Sequence, residues 1–320
     1  MLFVVRLCCF PPLLWFNSAV RAAAIFGIGS SLDDLKQFQR NSGVEWQIGM
    51  PAYGDDADAI LIFGGDGTLH RHLAQLVKLR LPVLVVPRGS GNDFARALGI
   101  RSLRSALDIW ERFRAGKATT RQVDLGVITP VPANPRTIGA SVWIPPQFYY
   151  FACIGGVGLD AEVARRANEM PRWLRARGGY ALTLPGALAR FRPQQTTLLA
   201  PNGSEPDNFL PRYSQPTFLA AFANTPVYGG GMRIAPNAEL DDGALDVCLV
   251  GKLNKLKLAS LFPTVYFGRH LNVAEVDYFR AVRLRVETER PADVYADGEF
   301  VCRTPAEVST APRALTVVCA

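Results

Sequence analysis

From Arg21 onward the chain alternates between two periods of apolar residues. Residues 22–26 are apolar and lead into a turn through Gly27, Gly29 and Ser30, after which Leu32, Leu35 and Phe38 recur at helical spacing. Residues 44–48 alternate as a short strand. Residues 59–63 form a wholly apolar run ending at Gly64-Gly65, the pattern of a parallel strand buried on both faces. Leu69, Leu73, Leu76 and Val77 mark a helix, residues 82–87 a second buried strand, and residues 93–98 and 103–113 two further helices. Strand and helix therefore alternate to residue 120, which predicts an open α/β layer on a mostly parallel sheet.

Beyond Gly116 the pattern becomes one of strands separated by turn signals, at 120–127, 148–154, 196–199, 218–224, 244–250, 282–287 and 314–319. Antiparallel β is the reading. Two helices interrupt it, at 161–168 running on towards Arg177 and at 255–266, while the Pro- and Asn-rich stretches 129–146 and 200–215 read as surface loops. The expected organisation is a domain over 21–120 and a second over 121–320, whose last strand is free to return to the first.

Composition narrows the class. The 320 residues are 49% hydrophobic and 20% charged, which excludes collagen-like, disordered and multi-span membrane chains. A net charge of +7 favours anionic partners such as phosphates, nucleic acid or acidic lipid. The six cysteines fall at no metal-ligand spacing, so no zinc site is expected and a reducing cytoplasm fits. Three histidines, His70, His72 and His270, leave little for histidine-cluster chemistry. Residues 1–20 are almost wholly apolar but hold Arg6 and Pro11-Pro12, which disfavour a membrane-spanning helix. They read as a leader outside the fold; a peripheral membrane contact and a secretion signal stay open.

Five glycine and acid segments carry the candidate chemistry. In the first, Gly64, Gly65, Asp66, Gly67, Thr68, Leu69, His70 and Arg71 lead from a buried strand into a helix, where glycines let backbone N–H groups reach phosphate oxygens. Asp66 has no evident structural need for its charge. The second, Gly89, Ser90, Gly91, Asn92 and Asp93, repeats the strand-to-helix geometry, with Ser90 a phosphate donor, Asn92 an orienting group and Asp93 a helix cap. The third, Gly155-Gly156-Val157-Gly158, reads as a glycine turn before a helix that Asp160 caps, membership of the site being the alternative. The fourth runs from Asn224 through Tyr228-Gly-Gly-Gly-Met232 to Glu239, Asp241, Asp242, Gly243 and Ala244, and its acidic turn suits Mg²⁺ or Ca²⁺ or is a plain hairpin. The fifth, Asp297-Gly298-Glu299, is by itself a hairpin turn.

Taken in order, from Ile60 to Glu299, these segments resemble the diacylglycerol kinase catalytic family, which includes soluble bacterial lipid kinases and the sphingosine and ceramide kinases. The resemblance implies an N-terminal open α/β nucleotide-binding domain, NAD kinase- and diacylglycerol kinase-like, and a C-terminal antiparallel β-sandwich. It implies ATP phosphates held by Gly65 to Arg71 and Ser90, a catalytic Mg²⁺ placed by Asp93 and Glu299, and Asp297 as general base. A second Mg²⁺ would lie on the Asp242 carboxylate and the carbonyls of Glu239 and Ala244. Three departures stand out: His70-Arg71 replaces the usual Asn-Glu, Gly27-Ile-Gly29-Ser30-Ser31 replaces an Asn-Pro-x-Ser-Gly turn, and a short loop before Ala59 replaces a helix.

A stretch interleaving arginine with aromatic residues, including Arg172, Trp173, Arg175, Arg177 and Tyr180, fits an anionic membrane surface or a solvated basic helix. No nucleic-acid-binding motif accompanies it. The expectation is therefore a cytoplasmic, peripherally membrane-associated lipid kinase, acting on diacylglycerol or a related lipid with ATP and Mg²⁺, and a homodimer is allowed. A soluble-metabolite kinase of the NAD kinase type and an inactive nucleotide- or lipid-binding homologue are the alternatives.

Overall fold

The structure is a computed structural model that describes residues 19–40, 43–132, 147–171, 179–203 and 205–319. The first half is β1 (Val20–Phe26), α1 (Leu32–Lys36), β2 (Val44–Ile48), β3 (Ala59–Gly64), α2 (Asp66–Leu79), β4 (Val83–Pro87), α3 (Asp93–Ala97) and α4 (Leu103–Arg114). Its four strands are parallel in the order β2-β1-β3-β4. All six residues of β3 are buried, because helices cover both faces of the sheet. Leu69, Leu73 and Leu76 share the buried stripe of α2, each such burial stabilising the fold by about 1.5–3 kcal/mol.

The second half holds β5 (Thr119–Pro130), β6 (Tyr149–Phe151), β7 (Ile154–Gly158), α5 (Leu159–Glu169), α6 (Gly179–Arg190), β8 (Gln194–Asn202), β9 (Glu205–Ala223) and β10 (Leu245–Gly251). It ends with α7 (Lys255–Val265), β11 (Val276–Ala281), β12 (Arg283–Thr288), β13 (Asp293–Ala296), β14 (Glu299–Arg303) and β15 (Ala306–Cys319). These strands pair antiparallel throughout. Their inner faces enclose a second core that includes Phe151, Leu198, Phe222, Val247, Val286 and Val308. β15 runs on to lie parallel to β4, with Val317 opposite Val83, so one hydrogen-bonded network joins the two halves.

Three expectations need correction. The stretch 200–215 is not a loop: it is the far end of a long β8–β9 hairpin. As far as Pro216, β9 pairs only with β8 among the described strands, and an edge tolerates Pro211 and Pro216 because no partner asks for their missing N–H. The Gly155–Gly158 segment lies within strand β7, not in a turn. Its glycines allow close packing, since a Cβ on Gly156 would lie 2.7 Å from Asp160 Oδ2 and one on Gly158 2.5 Å from the Phe218 carbonyl oxygen. Helix α6 was not expected, because Gly179, Pro185 and Gly186 break the helical pattern that would announce it.

Candidate active site

Gly64 of β3 lies opposite Pro87 of β4, so the turns that leave these neighbouring strands meet. They meet backbone to backbone: a Cβ on Gly65 would lie 2.9 Å from Gly89 Cα, and one on Gly89 only 2.6 Å from Gly65 Cα. Two glycines are required by this approach. Asn92, in the left-handed region at φ 55°, clamps the second turn by accepting from the Gly89 N–H at 2.9 Å and donating to the Gly89 carbonyl at 2.6 Å. Arg71 Nε donates to the Gly67 carbonyl at 2.9 Å, and Ser90 is exposed at the tip of the second turn. Thr68 and Leu69, expected in the phosphate loop, turn their side chains into the core instead. The start of the 14-residue helix α2 thus faces the same opening as the two turns, a geometry that attracts anions.

Asp66 has the structural task that the sequence did not reveal. Its two carboxylate oxygens accept from the backbone N–H groups of Asp93 and Phe94, each at 3.0 Å, so it caps α3 from another turn in place of Asp93. Burial first, then the charge of Asp93, pushes the Asp66 carboxyl up to about 6. Asp93 is itself buried and also raised, chiefly by burial; it accepts from Arg96 and from the Gly230 N–H, both at 3.3 Å. Asp297 joins them from the far end of the chain. It occupies a two-residue hairpin turn with Gly298, at φ 50° and 84°, the turn geometry that Asp-Gly favours. Asn168 Nδ2 of α5 donates to the Gly298 carbonyl at 2.7 Å and pins that turn. Asp297 Oδ2 accepts from the Ala152 N–H at 2.8 Å and Oδ1 from Cys153 at 2.8 Å and Ile154 at 3.2 Å, while His70 Nδ1 lies 3.2 Å from Oδ2. Burial and then the charges of Asp297, Asp66 and Asp93 hold the Cys153 thiol well above its usual range. A Cβ on Gly67 would lie 3.0 Å from Glu299 Oε1, which brings Glu299 to the same opening.

The fourth segment reaches this site by one end only. Gly229, Gly230 and Gly231 all take positive φ (59°, 84° and 122°), a run open only to glycine. It turns the chain so that Gly230 N–H meets Asp93 and Tyr228 OH donates to Asp160 at 2.8 Å. Asp160 is therefore no helix cap; Gly158 is the N-cap of α5, and burial pushes the Asp160 carboxyl up to about 6. At the other end, with Glu239, Asp242 and Ala244, the Asp242 carboxylate is engaged within the protein. Asp242 accepts from the Ala244 N–H at 3.0 Å and pairs with the Arg280 guanidinium at 2.5 Å, so a protein cation lies against the carboxylate on which a second Mg²⁺ is expected.

Behind the Tyr228–Met232 turn lies an apolar cleft between α5, α6 and α7, with Leu188, Phe218, Leu261 and Phe262 among its walls and Asp160, Tyr228 and His270 as polar groups. Sequence reasoning missed it because α6, one of its walls, was missed. Arg172, Trp173, Arg175 and Arg177 lie outside the described residues, and Tyr180 is described only as part of the α6 backbone. Among the described residues no helix is long and apolar enough to cross a membrane.

Residues 42–128 match the diacylglycerol kinase catalytic domain, and residues 154–319 the YegS C-terminal NAD kinase beta sandwich-like domain. The diacylglycerol kinase of Mycobacterium tuberculosis is 35% identical over 269 residues, covering 83% of this chain and 78% of that protein. The chain belongs to the diacylglycerol kinase catalytic-domain family. The diacylglycerol kinase of Bacillus subtilis is 26% identical over 265 residues, 82% of this chain and 77% of that one. The fold of this lipid kinase is also that of a diacylglycerol kinase from Bacillus anthracis, at TM-score 0.63 and 17% identity over 94% of this chain and 97% of the other. Yeast NADH kinase shares the fold more distantly, at TM-score 0.51 and 10% identity over 97% and 87%. The α/β half and the β-sandwich half read from the sequence are those of this family, and a kinase of this family implies ATP as the phosphoryl donor.

Proposed function

We propose that this kinase transfers the γ-phosphoryl group of ATP to a hydroxyl of diacylglycerol or a closely related lipid. The observation that carries the reading is the apolar lining of the cleft between α5, α6 and α7, joined to the carboxylate site by a single glycine turn. Acyl chains need such a cleft and a soluble nucleotide acceptor does not. The two backbone turns, with the start of α2 and the exposed Ser90 hydroxyl, would take the ATP phosphates. Asp297 and the groups bonded to it would handle the proton of the acceptor hydroxyl.

A Mg²⁺ suits the nucleotide side. Asp66, Asp93 and Asp297 act on one another as like charges, and Arg96 is the cation that pairs with Asp93. Among the described residues no three carboxylate, imidazole or thiol groups converge to hold an ion on their own. Asp93 and Glu299 would therefore share the ion with phosphate oxygens and water, as Mg²⁺ commonly requires. When bound, it would neutralise phosphate charge during transfer. The protein's own part is positioning, which suits a reaction that asks for little covalent chemistry from the enzyme.

Approach to a bilayer is supported by α7. One face of this helix lines the cleft, while Leu256 and the following Phe267 are 80% and 73% exposed. Large apolar residues on the helix that lines an apolar cleft fit insertion at a membrane surface. The test is phosphate transfer from labelled ATP to a panel of lipids in mixed micelles, with products identified by mass spectrometry. Diacylglycerol or a close relative is expected to be labelled by the wild type and not by Asp297→Ala; turnover of NAD without lipid, or no transfer to any lipid, would refute the reading.

A further inference from the structure

The turn from Tyr228 to Met232 touches the cleft on one side and the carboxylate site on the other. It closes on itself: the Tyr228 N–H donates to the Met232 carbonyl at 3.0 Å and the Met232 N–H to the Tyr228 carbonyl at 2.9 Å, so the two residues move as one body. Both side chains line the apolar cleft, and Met232 folds back under the tip, its Cε filling the space that a Cβ on Gly229 would need. At the cleft wall Tyr228 OH donates to Asp160 at 2.8 Å. At the tip Gly230 N–H donates to Asp93 Oδ2 at 3.3 Å, while Arg96 holds Asp93 Oδ1. The Asp93 carboxylate therefore takes its orientation from a glycine tip on one oxygen and from an arginine on the other.

Between these two ends the turn has little to hold it. Gly229, Gly230 and Gly231 bring no side chains to pack, and among the described residues no atom beyond its chain neighbours lies within 4 Å of where a Cβ on Gly230 would stand. Glycine has more backbone freedom to lose than any other residue, and fixing that freedom costs free energy. Whichever ligand orders the tip first spares the second that cost, which makes the two bind with positive linkage. We propose, on the lipid-kinase reading above, that Tyr228 is a positioning residue through which lipid in the cleft fixes the 228–232 turn and, by way of Gly230, orients Asp93 for the nucleotide and its Mg²⁺. Lipid then tightens the nucleotide, and nucleotide tightens the lipid.

A cleft wall and a coupling residue differ in what they change. A wall residue alters the affinity for lipid by one factor, whether or not nucleotide is bound. A coupling residue alters the ratio of the affinities with and without the other ligand, and that ratio is the same read from either side, because linkage is reciprocal. Tyr228→Phe keeps the ring in the wall and removes the hydroxyl that reaches Asp160, so it separates the two roles.

The experiment titrates a non-hydrolysable ATP analogue with Mg²⁺ into the protein in mixed micelles with and without dioctanoylglycerol, whose own binding is followed in parallel with a radiolabel. In wild type the lipid is expected to tighten the analogue by about fivefold or more, and in Tyr228→Phe the ratio is expected to fall to within about twofold of one. Amide hydrogen exchange gives a readout that needs no nucleotide: lipid alone should slow exchange at residues 229–231 in wild type and not in the variant. Lipid that binds wild type but changes neither its nucleotide affinity nor its exchange overturns the inference, as does a Tyr228→Phe protein that keeps the full ratio. Dioctanoylglycerol that fails to bind wild type takes down the lipid reading and the inference with it, so the two failures differ.

Discussion

The turn at Asp297-Gly298 and the loop at Asp242-Gly243 carry the same dipeptide, and both glycines have positive φ, 84° and 76°. Either could be a hairpin turn or an acidic site when read from the sequence. In the fold they part company. Asp297 is sunk among three backbone N–H groups and His70, with Asp66 and Asp93 close enough to feel its charge. Asp242 faces Arg280, whose side chain is 54% exposed, and its charge is matched by a guanidinium reaching out into solvent. What separates them is the company each carboxylate keeps: backbone donors fix a carboxylate's position and leave charge available to a neighbour, whereas a flexible cation neutralises it.

Removing Asp297 should have the largest effect. Asp297→Ala leaves three buried N–H groups without an acceptor, each costing about 1–3 kcal/mol, and frees the His70 ring. Turnover should fall by about 10³-fold or more, and the thermal midpoint should drop as well. Asp297→Asn keeps the shape but turns an NH₂ group against donors, so it should lose comparable activity with a smaller loss of stability. Near-normal turnover in Asp297→Asn would make this turn no different from the one at Asp242.

The nucleotide side should break next, at Gly89. An added methyl would meet Gly65 Cα at 2.6 Å, and backbone opposite backbone cannot yield as a side-chain tip can. Gly89→Ala should lose about 1–3 kcal/mol of stability, and its affinity for an ATP analogue should fall by about tenfold or more, read by calorimetric titration. Gly243→Ala, with nothing within 4 Å of the added carbon, meets no such wall and carries only the strain of its positive φ of 76°. Binding by Gly89→Ala equal to that of Gly243→Ala would show that the close approach of the two turns is dispensable.

How much of this was legible in the sequence depends on how local each interaction is. The apolar run ending at Gly64-Gly65 announces β3 and the turn after it, because burial and glycine content are properties of adjacent residues. Pairing of Gly65 with Gly89 follows once the strands are taken as neighbours. Asp66 looked free of structural duty because the N–H groups it caps belong to Asp93 and Phe94, on the next turn. His70 and Asp297 lie 227 residues apart, a contact that spacing cannot suggest and that only the path of β13 beside β7 creates. The cleft was hidden for a different reason: Gly179, Pro185 and Gly186 disguise α6, and without it α5 and α7 have no third wall.

A smaller effect should appear in the pH dependence of stability. Asp66 and Asp160 are both raised from an ordinary 3.8 to about 6. Their protonated forms are favoured by the fold, so the stability they contribute is fully present below pH 3.8 and lost as pH rises through about 6. The loss should be on the order of 1–3 kcal/mol for each residue. Urea unfolding at a series of pH values should show this decline, flattened in part by Asp66→Asn or Asp160→Asn. No difference between the variants and wild type from pH 4 to pH 7 would mean that neither carboxyl is desolvated as described.

The smallest effect is expected at Asp242, and it tests the comparison from its other side. If Arg280 fills the position of a second cation, Asp242→Asn removes a partly exposed ion pair worth about 0–1 kcal/mol and keeps an acceptor for the Ala244 N–H. Turnover should then stay within about twofold of wild type. Mg²⁺ in the absence of nucleotide should change the melting temperatures of wild type and variant alike, because the ion has no private ligand at this loop. A Mg²⁺-induced stabilisation present in wild type and absent in Asp242→Asn would mean that the carboxylate exchanges Arg280 for the metal. The loop at Asp242 would then be a cation site after all, and what divides the two turns would be which cation each one holds.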